Sequence, residues 1–406
     1  MSENSTDLLA QSEAALFRLH AWLQNNGWAG FDPYDLQHLR QQVPTLLRET
    51  PVVRWPVSLL FRLAEQFPAR SRSVLIPRRI YPKAMGLFAE SYAVMHELYG
   101  GGAYLTLARE CADWLLRNPS AGYSGLGWGL PIDWQGKTFY PQGTPFPIVS
   151  AICGHGFWRL YRLTGDPIYM DACRRICEGF VHQLQIDRFG DDRLCFSYSP
   201  LDNYHVHNVN LTIAAFLIQV GQSIREESWV QLGHKAANYS LAAQTADGGL
   251  PYQDLEQVHR EHRDNIHSGF EVRAFHALWK LTGRPVYEQA FRRYFGYYIS
   301  HYYGEDGAPW RNPGDSRVVD VHGCAEASLL YSQVANDEQR AVVPLRKSVQ
   351  WILDHMQSPK GYFIYRSINQ GNGLEPCDVP FIRWGQAWMM RGLTAAIRRG
   401  RESHGF

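Results

Sequence analysis

Three segments of the chain carry a histidine at a position that recurs along the sequence. The segments are Tyr204–Asn210, Asp264–Glu271 and Asp320–Glu326. Their repeated histidines are His207, His267 and His322. Glu271 and Glu326 each follow a histidine by four residues, about one helical turn, so each His–Glu pair shares a helix face. This recurrence indicates a site, although helix-capping histidines and buried glutamates would give the same pattern.

These residue types favour acid–base chemistry, and glycosidic-bond hydrolysis in particular. Histidine and glutamate act as general acids and bases when their pKa values lie near the working pH. Two carboxylates on either side of a glycosidic bond can hydrolyse it. The candidate catalytic residues are His267, Glu271, His322, Glu326, Asp264 and Asp320. In this interpretation the carboxylates react with the sugar and the histidines orient them.

A second enzymatic interpretation is removal of a proton next to a carboxylate, as in uronate lyases and epimerases. That reaction needs side chains that neutralise the carboxylate and a base that takes the proton. Asn265, His267, Tyr204 and Arg383 are residues of the required types. A third interpretation, from another class, is a non-catalytic glycan-binding or assembly protein that keeps a cavity without a carboxylate pair.

Aromatic, amide and basic side chains near the long loops fit contacts with a sugar substrate. The chain has 13 Trp, 22 Tyr and 19 Phe, and flat aromatic rings suit both a hydrophobic core and the apolar faces of sugar rings. Arg383 carries a planar guanidinium that suits an anionic group. The candidate substrate-binding residues are Tyr204, His207, Asn208, Asn210, Asn265, Trp128, Tyr252, Trp310, Arg311, Arg383 and Trp384.

No motif indicates a metal, a nucleotide or another cofactor. His-x-x-x-Glu pairs are common by chance, and the sequence contains no His-Glu-x-x-His motif that would support a zinc site. Glycine-rich phosphate-binding loops are also absent from the sequence. We therefore predict no bound metal and no cofactor.

The elements that position these residues follow a repeat of about 59 residues. The sequence LTGDPIY at Leu163–Tyr169 recurs as LTGRPVY at Leu281–Tyr287, which is 118 residues, or two repeats, further on. Helices that are apolar on all sides are typically buried, and the predicted helices of this kind are Pro82–Tyr99, Pro147–Thr164, Asn208–Ile224, His267–Thr282, His322–Ala335 and Phe381–Arg399. Amphipathic helices alternate with them at Tyr104–Leu116, Tyr169–Leu184, Trp229–Ala243, Tyr287–Ser300 and Val343–Met356.

This alternation predicts an all-α fold in which six helical hairpins close into a toroid, (α/α)6. A hairpin cannot bury its apolar face alone, so neighbouring hairpins pack side by side. We expect one domain over residues 1–406, with helices of residues 1–80, for example Leu8–Asn25, completing the outer ring. The long loops fall on one face, where sites are usually built. The rival fold is an open helical solenoid.

The charge and hydropathy of the chain exclude some kinds of partner. With 40 basic and 39 acidic residues the chain lacks the basic excess of a nucleic-acid-binding protein. No apolar run approaches the roughly 20 residues of a membrane span, and the first residues lack the pattern of a signal peptide. We therefore expect a cytoplasmic protein whose partner is an oligosaccharide or glycan, and the sequence carries no signal for an oligomeric state.

The repeat resembles the six-hairpin toroid of glycosidases, polysaccharide lyases and sugar epimerases. More narrowly, Gly30–Asp35, Ile76–Tyr92 and Arg383–Leu393 resemble a family encoded with bacterial capsule and exopolysaccharide biosynthesis genes. Together with the repeat, these segments cover most of the chain. The resemblance implies the toroid fold and a role in polysaccharide biosynthesis, without specifying a reaction.

One segment is also similar to a motif of toroidal alginate lyases. Asp264–Phe270 resembles their Asn-Asn-His-Ser motif, with Ile266 between the asparagine and the histidine. By this resemblance Asn265 and His267 would neutralise the carboxylate of a uronate. The end of the chain at Arg383–Trp388 is similar to that of unsaturated glucuronyl hydrolases.

Overall fold

The computed structural model describes residues 3–42, 55, 59, 76–371 and 373–403. Its α-helices are α1 (Glu3–Asn26), α2 (Tyr34–Gln42), α3 (Pro82–Tyr99), α4 (Gly102–Arg117), α5 (Pro147–Thr164), α6 (Pro167–Gln183), α7 (His207–Ile224), α8 (Glu227–Ala242), α9 (Asn265–Thr282), α10 (Pro285–His301), α11 (Val321–Val334), α12 (Val342–His355) and α13 (Ala387–Glu402). Short strands lie in the connections between them. In this part of the chain no helix is long and apolar enough to cross a membrane.

The helices α3, α5, α7, α9, α11 and α13 form a closed inner ring. Each packs on the next in chain order, and α13 packs back on α3. Their surfaces are buried almost all round, as in α7, where His207–Leu211 and Ile213–Leu217 are all buried. Helices that are apolar on every side need neighbours on every side. Closure of this ring distinguishes the (α/α)6 toroid from the open solenoid.

The outer ring covers the inner one. The helices α4, α6, α8, α10 and α12 each pack on the inner helix that precedes them, and α1 packs on α13 and α12 in the remaining outer place. Leu16, Leu19 and Leu23 of α1 are buried in this contact. Of the other residues predicted to complete the ring, 43–75 lie outside the described residues apart from Trp55 and Leu59.

The repeated Leu-Thr-Gly-x-Pro-x-Tyr segments form the short turns between inner and outer helices. Gly165 and Gly283 follow α5 and α9 in the left-handed conformation, with φ of 72° and 67°, which glycine adopts without a steric penalty. A proline then begins the next outer helix, where its missing N–H is not needed. Tyr169 and Tyr287 turn inward and are buried.

The longer connections lie at the opposite end of the toroid and contain the strands. In β1 (Trp134–Gln135) and β2 (Phe139–Tyr140) Trp134 pairs with Tyr140. In β3 (Ile186–Phe189) and β4 (Arg193–Phe196) Asp187 pairs with Cys195. A third antiparallel sheet has the order β5 (Val318–Asp320), β6 (Arg366–Asn369) and β7 (Leu374–Cys377), with Ser367 between Val319 and Pro376. These loops surround the amino-terminal ends of the inner helices.

Candidate functional site

The second residue of every inner helix lines one central cavity of about 180 Å³. For the last inner helix we count from Ile382, the first residue of a π-helical turn that leads into α13. The six residues, here called the second-residue ring, are Lys83, Ile148, Asn208, Ile266, His322 and Arg383. Because the six helices occupy equivalent places in the toroid, side chains at the same position from the helix start point the same way relative to the central axis.

The three histidines predicted to occupy equivalent positions in the repeat lie at different positions in their helices. His207 is the first residue of its helix, His322 the second and His267 the third, and one residue turns a side chain by about 100° around a helix. His207 points away from the axis, where its Nδ1 lies 3.1 Å from Ser240 Oγ and its ring stacks on Tyr239. Only His267 and His322 of the three line the cavity.

His267 forms a dyad with Asp264, the residue that caps α9. One carboxylate oxygen of Asp264 accepts the backbone N–H of His267 at 2.9 Å, and the other lies 2.7 Å from His267 Nδ1. Burial alone would raise the pKa of Asp264, but the charge of His267 and the hydrogen bonds from His262 and His267 hold it well below its usual value. The ionised carboxylate only accepts hydrogen bonds, so Nδ1 carries the proton. Nε2 is the nitrogen left to act on a substrate.

His322 has no hydrogen-bond partner among the described residues at either ring nitrogen. Its ring stacks on Trp388 at 4.7 Å and meets Trp384 edge-on at 4.8 Å between ring centroids. Burial, followed by the charges of Lys83 and Arg383, holds the pKa of His322 well below its usual value. The imidazole is therefore neutral near pH 7 and has a lone pair available.

Lys83 is the third ionisable residue at the cavity. Its residue surface is 7% exposed, and its Nζ lies 6.0 and 5.8 Å from the ring centroids of Phe270 and Trp388. Burial and the charge of Arg383 lower the pKa of the Lys83 ammonium to about 7. The described part of the chain offers Lys83 no carboxylate within ion-pair distance.

Arg383 is already paired within the protein. Its Nε and Nη2 donate to the two carboxylate oxygens of Asp32 at 2.7 and 2.6 Å, the bidentate geometry that suits a guanidinium. Asp32 also accepts the backbone N–H of Tyr34 at 3.0 Å, and the Tyr34 ring lies 4.9 Å from the guanidinium. The segment Gly30–Asp35 is thus fixed to the start of the last inner helix.

The glutamates predicted to act on a sugar lie outside the cavity lining. Glu271 is buried between α9 and α10, where it accepts a hydrogen bond from the Tyr294 hydroxyl, and burial raises its pKa well above the usual value. Glu326 is fully buried and accepts from Arg273 Nε and Nη2 at 2.5 and 2.9 Å. Both side chains are therefore committed to contacts between helices.

Asp320 also lies outside the cavity lining. It caps α11 by accepting the backbone N–H of Gly323 at 2.9 Å, and its second oxygen lies 3.6 Å from Arg311 Nε. Burial raises its pKa above the usual value, against the lowering effect of Arg311. Asp320 thus has the same capping role as Asp264 but holds no histidine ring.

The predicted substrate-binding residues divide into two groups. Those that line the cavity are Asn208, Tyr252, Arg383 and Trp384, and Arg311 lines an adjoining cleft. Those that hold loops or helices together are Asn210, through Ala236 and Phe196; Asn265, through Trp310 and Tyr298; Trp128, through Leu115; and Tyr204, through Thr138. Trp310 lies in the loop after α10, where its backbone N–H donates to the backbone carbonyl of Tyr302.

The adjoining cleft, here called the outer cleft, opens from the cavity toward the loop face. It has a volume of about 560 Å³ and shares Tyr34, Ile266, His267 and Trp384 with the cavity. His262 lies in this cleft, with its Nε2 2.9 Å from the Asp264 carboxylate. The cluster of His262, Asp264 and His267 is explained by hydrogen bonds to one carboxylate, and we assign no metal to it.

Several polar atoms of the cavity-lining residues are buried without a partner in the described part of the chain. They are Asn208 Oδ1, Trp134 Nε1, Trp384 Nε1 and both ring nitrogens of His322. Most buried polar groups in proteins are hydrogen-bonded, because an unpaired group costs about 1–3 kcal/mol. A concentration of unpaired donors and acceptors around one cavity is typical of a binding site for a polar ligand.

Sequence reasoning missed several residues of this site. Lys83, Tyr34, Tyr198 and Phe270 line the cavity and were not among the candidates. A signal for Lys83 exists, because Pro82 marks a helix start and so aligns Lys83 with Asn208 and His322. No local signal identifies Tyr34, whose helix lies outside the repeat.

Comparisons with known proteins support the fold. No protein-family model matches the sequence, and no curated protein matches it. Several solved structures are similar to this chain. The structure of cellobiose 2-epimerase from Bacillus thermoamylovorans matches with a TM-score of 0.62 and 11% identity, over 79% of this chain and 88% of that one. An unsaturated glucuronyl hydrolase specific for heparin gives a TM-score of 0.58 and 11% identity over 96% and 97% of the two chains.

A family 76 α-mannanase from Bacteroides thetaiotaomicron gives a TM-score of 0.59 at 8% identity, over 80% of this chain and 88% of that one. At such identities the likeness shows the fold alone. The chain is an (α/α)6 toroid, the fold that these carbohydrate-active enzymes share.

Proposed function

We propose that this protein is a carbohydrate epimerase or isomerase, which moves a proton at a carbon atom next to a carbonyl or carboxylate group of a sugar. One observation supports this most strongly. Among the described residues, the cavity is lined by two histidines from adjacent inner helices and by no aspartate or glutamate. Such a lining suits proton transfer and lacks the carboxylate pair of a glycosidase.

The two histidines differ in the way that a two-base reaction requires. His322 is neutral and accepts the proton as the C–H bond breaks, leaving an enediolate or enolate. His267 is held by Asp264 through Nδ1, and its Nε2 returns a proton to the opposite face of that carbon. The Phe270 ring contacts both histidines, with its centroid 6.4 Å from that of His267 and 5.9 Å from that of His322. The reverse reaction exchanges the two roles.

The size of the cavity supports one sugar ring as the reacting unit. A volume of about 180 Å³ slightly exceeds that of an engineered protein cavity of about 150 Å³ that binds benzene, a six-membered ring. The rings of Trp134, Trp384 and Tyr252 provide flat apolar surfaces around it. Further sugars of an oligosaccharide would extend into the outer cleft.

Two proteins of similar structure are epimerases, which supports this proposal: a cellobiose 2-epimerase and a sugar epimerase from a ruminal bacterium. We further propose a cytoplasmic role in bacterial surface-polysaccharide metabolism, on the resemblance of Gly30–Asp35, Ile76–Tyr92 and Arg383–Leu393. Hydrolysis by Glu271 and Glu326 has less support, because both side chains are held by other helices.

The test is proton exchange in deuterated water, followed by NMR and mass spectrometry on a panel of reducing and uronic-acid sugars. We expect wild type to incorporate deuterium and to form an epimer, and His267→Asn and His322→Asn to lose both. Glu271→Gln is the matched control and should retain exchange. Addition of water to a cleaved product would establish a hydrolase, and an unsaturated product would establish a lyase. Binding of a sugar without exchange would favour a glycan-binding protein.

A further inference from the structure

We propose that the sugar bound in the cavity is anionic and that Lys83 binds its negatively charged group, a carboxylate in the simplest case. This inference deepens the proposed function and rests on it, because it names the substrate class of the same cavity. The group would lie beside His322, on the side of the cavity formed by α3, α11 and α13.

The first argument is the balance of charge. Arg383, the other basic residue that lines the cavity, has Asp32 as its carboxylate partner. Lys83 is 7% exposed and has no such partner in the described residues. A buried ammonium without a counter-charge is unfavourable, and such groups are normally paired. A bound anion would provide the missing counter-charge.

The charged groups near Lys83 are already committed to other partners. Asp32 and Glu326 lie close enough to raise the pKa of Lys83 slightly, while burial and Arg383 lower it. Asp32 is bound bidentately to Arg383, and Glu326 is bound to Arg273. Neither carboxylate is within ion-pair distance of Lys83. The described residues therefore give Lys83 no carboxylate partner.

The second argument is the direction of the inner helices. All six begin at this cavity, and a helix amino terminus carries a partial positive charge that favours anions. The caps of α3, α5 and α7, which are Tyr81, Phe146 and Val206, make no side-chain hydrogen bond to the helix. Of these three helices, α3 borders the side of the cavity with Lys83 and His322, so its uncapped amino terminus favours an anion there.

The outer cleft adds charge of the same sign. Arg40, Arg311 and Arg366 line it, against the single carboxylate of Asp264. Arg311 faces Asp320, whereas Arg366 lies over the ring of Tyr365, 4.2 Å from its centroid. A chain of acidic sugars would meet more positive than negative side chains in the cleft.

The experiment is titration calorimetry with matched sugars that differ only in the charged group. The pairs are glucuronate against glucose and galacturonate against galactose, with glucose 6-phosphate as a phosphate arm. The proteins are wild type, Lys83→Met, Lys83→Arg and the exposed Lys360→Met as a control. Circular dichroism and thermal unfolding check that each variant is folded.

We expect wild type to bind the uronates about tenfold or more tightly than the neutral sugars. Lys83→Met should lose that preference, Lys83→Arg should keep part of it, and Lys360→Met should match wild type. Because the pKa of Lys83 is about 7 in the empty cavity, anion binding at pH 8 should take up a proton, and Lys83→Met should not. A phosphate preference that depends on Lys83 would assign the anion as phosphate.

Equal binding of charged and neutral sugars by wild type would overturn the inference, as would unchanged uronate binding by Lys83→Met. These outcomes are separate from those of the exchange assay. Exchange on neutral sugars would keep the proposed function and reject the anionic substrate. Lys83-dependent uronate binding without exchange would keep the substrate class and reject the epimerase.

Discussion

At the scale of single residues, the chemistry of the site depends on the partners that each ionisable side chain already has. His267 is held by Asp264, His322 is held by aromatic rings alone, and Arg383 is neutralised by Asp32. Residue type does not distinguish these cases, because the differences arise from contacts made across the fold. The roles of the two histidines can therefore be separated by changing their partners.

Replacement of Asp264 by asparagine should slow the reaction without unfolding the protein. Asparagine caps helices about as well as aspartate, so α9 should keep its start, while loss of the charged partner of His262 and His267 should lower the stability by about 1–3 kcal/mol. His267 would lose the carboxylate that holds its ring through Nδ1, and we expect kcat to fall about a hundredfold or more. Asp320→Asn is the matched control, since Asp320 caps α11 without contacting a histidine. Equal losses in the two variants, measured by deuterium exchange, would reject the dyad.

The sequence predicts part of the residue-level site. His267, His322, Asn208, Arg383 and Trp384 were recognised from their types and their place at helix starts, and Tyr252 as an aromatic residue of a long loop. All of them line the cavity. His207 was aligned with them in error, because an error of one residue in the helix start rotates a side chain away from the axis. Lys83 was missed because a lysine after a proline carries no signal until the six helix starts are aligned.

At the scale of elements, the glutamates predicted to be catalytic hold helices together. Glu271 joins α9 to Tyr294 of α10, and Glu326 joins α11 to Arg273 of α9. Both contacts link neighbouring elements of the toroid. A four-residue spacing identifies a shared helix face, but it does not determine whether that face meets a cavity or another helix.

Glu271→Gln should alter the pH dependence of stability and leave activity intact. Burial raises the folded-state pKa of Glu271 well above its ordinary value of 4.5. A raised pKa gives stability that is fully present below about pH 4.5 and is lost as the pH rises through the folded-state pKa. Glutamine resembles the protonated acid, so the variant should gain stability relative to wild type between pH 4.5 and 8. Urea unfolding at several pH values measures this, and a constant difference across that range would contradict it.

The segment Gly30–Asp35 and the π-helical turn Ile382–Gln386 form one structural unit. Backbone pairing of Phe31 with Phe381 and the ion pair of Asp32 with Arg383 fix the two segments together. π-helical turns are frequent at functional sites, and this one brings Arg383 into the second-residue ring. The resemblance of both segments to one family thus corresponds to one structural unit.

Breaking that ion pair should be costly. Asp32→Asn leaves the guanidinium of Arg383 buried without a counter-charge, and removal of one partner of a buried pair typically destabilises by about 3–5 kcal/mol. The double variant Asp32→Asn, Arg383→Met removes the charge as well and should recover part of that loss. Urea unfolding measures both. If the single variant were as stable as wild type, the pair would not secure the segment.

At the scale of the whole molecule, the repeat predicted the toroid and the approximate bounds of its helices. Predicted and observed inner helices coincide at Pro82–Tyr99 and Pro147–Thr164, and the helices α7, α9 and α11 start within two residues of the predicted positions. The turn signals Gly165 and Gly283 made this possible. Closure is a long-range property, and no local pattern determines that α13 meets α3. The final outer position is filled by α1, whose sequence lies outside the repeat.

The place of α1 in the outer ring gives the last prediction. Leu19 of α1 is fully buried, whereas Phe17, two residues earlier, is 38% exposed. Leu19→Ala should destabilise the protein by about 2–5 kcal/mol, because it opens a cavity where α1 meets the core. Phe17→Ala in the same helix should cost about 1 kcal/mol or less, since much of its ring already contacts solvent. Thermal and urea unfolding would measure both variants. If the two substitutions had equal and small effects, α1 would not close the outer ring.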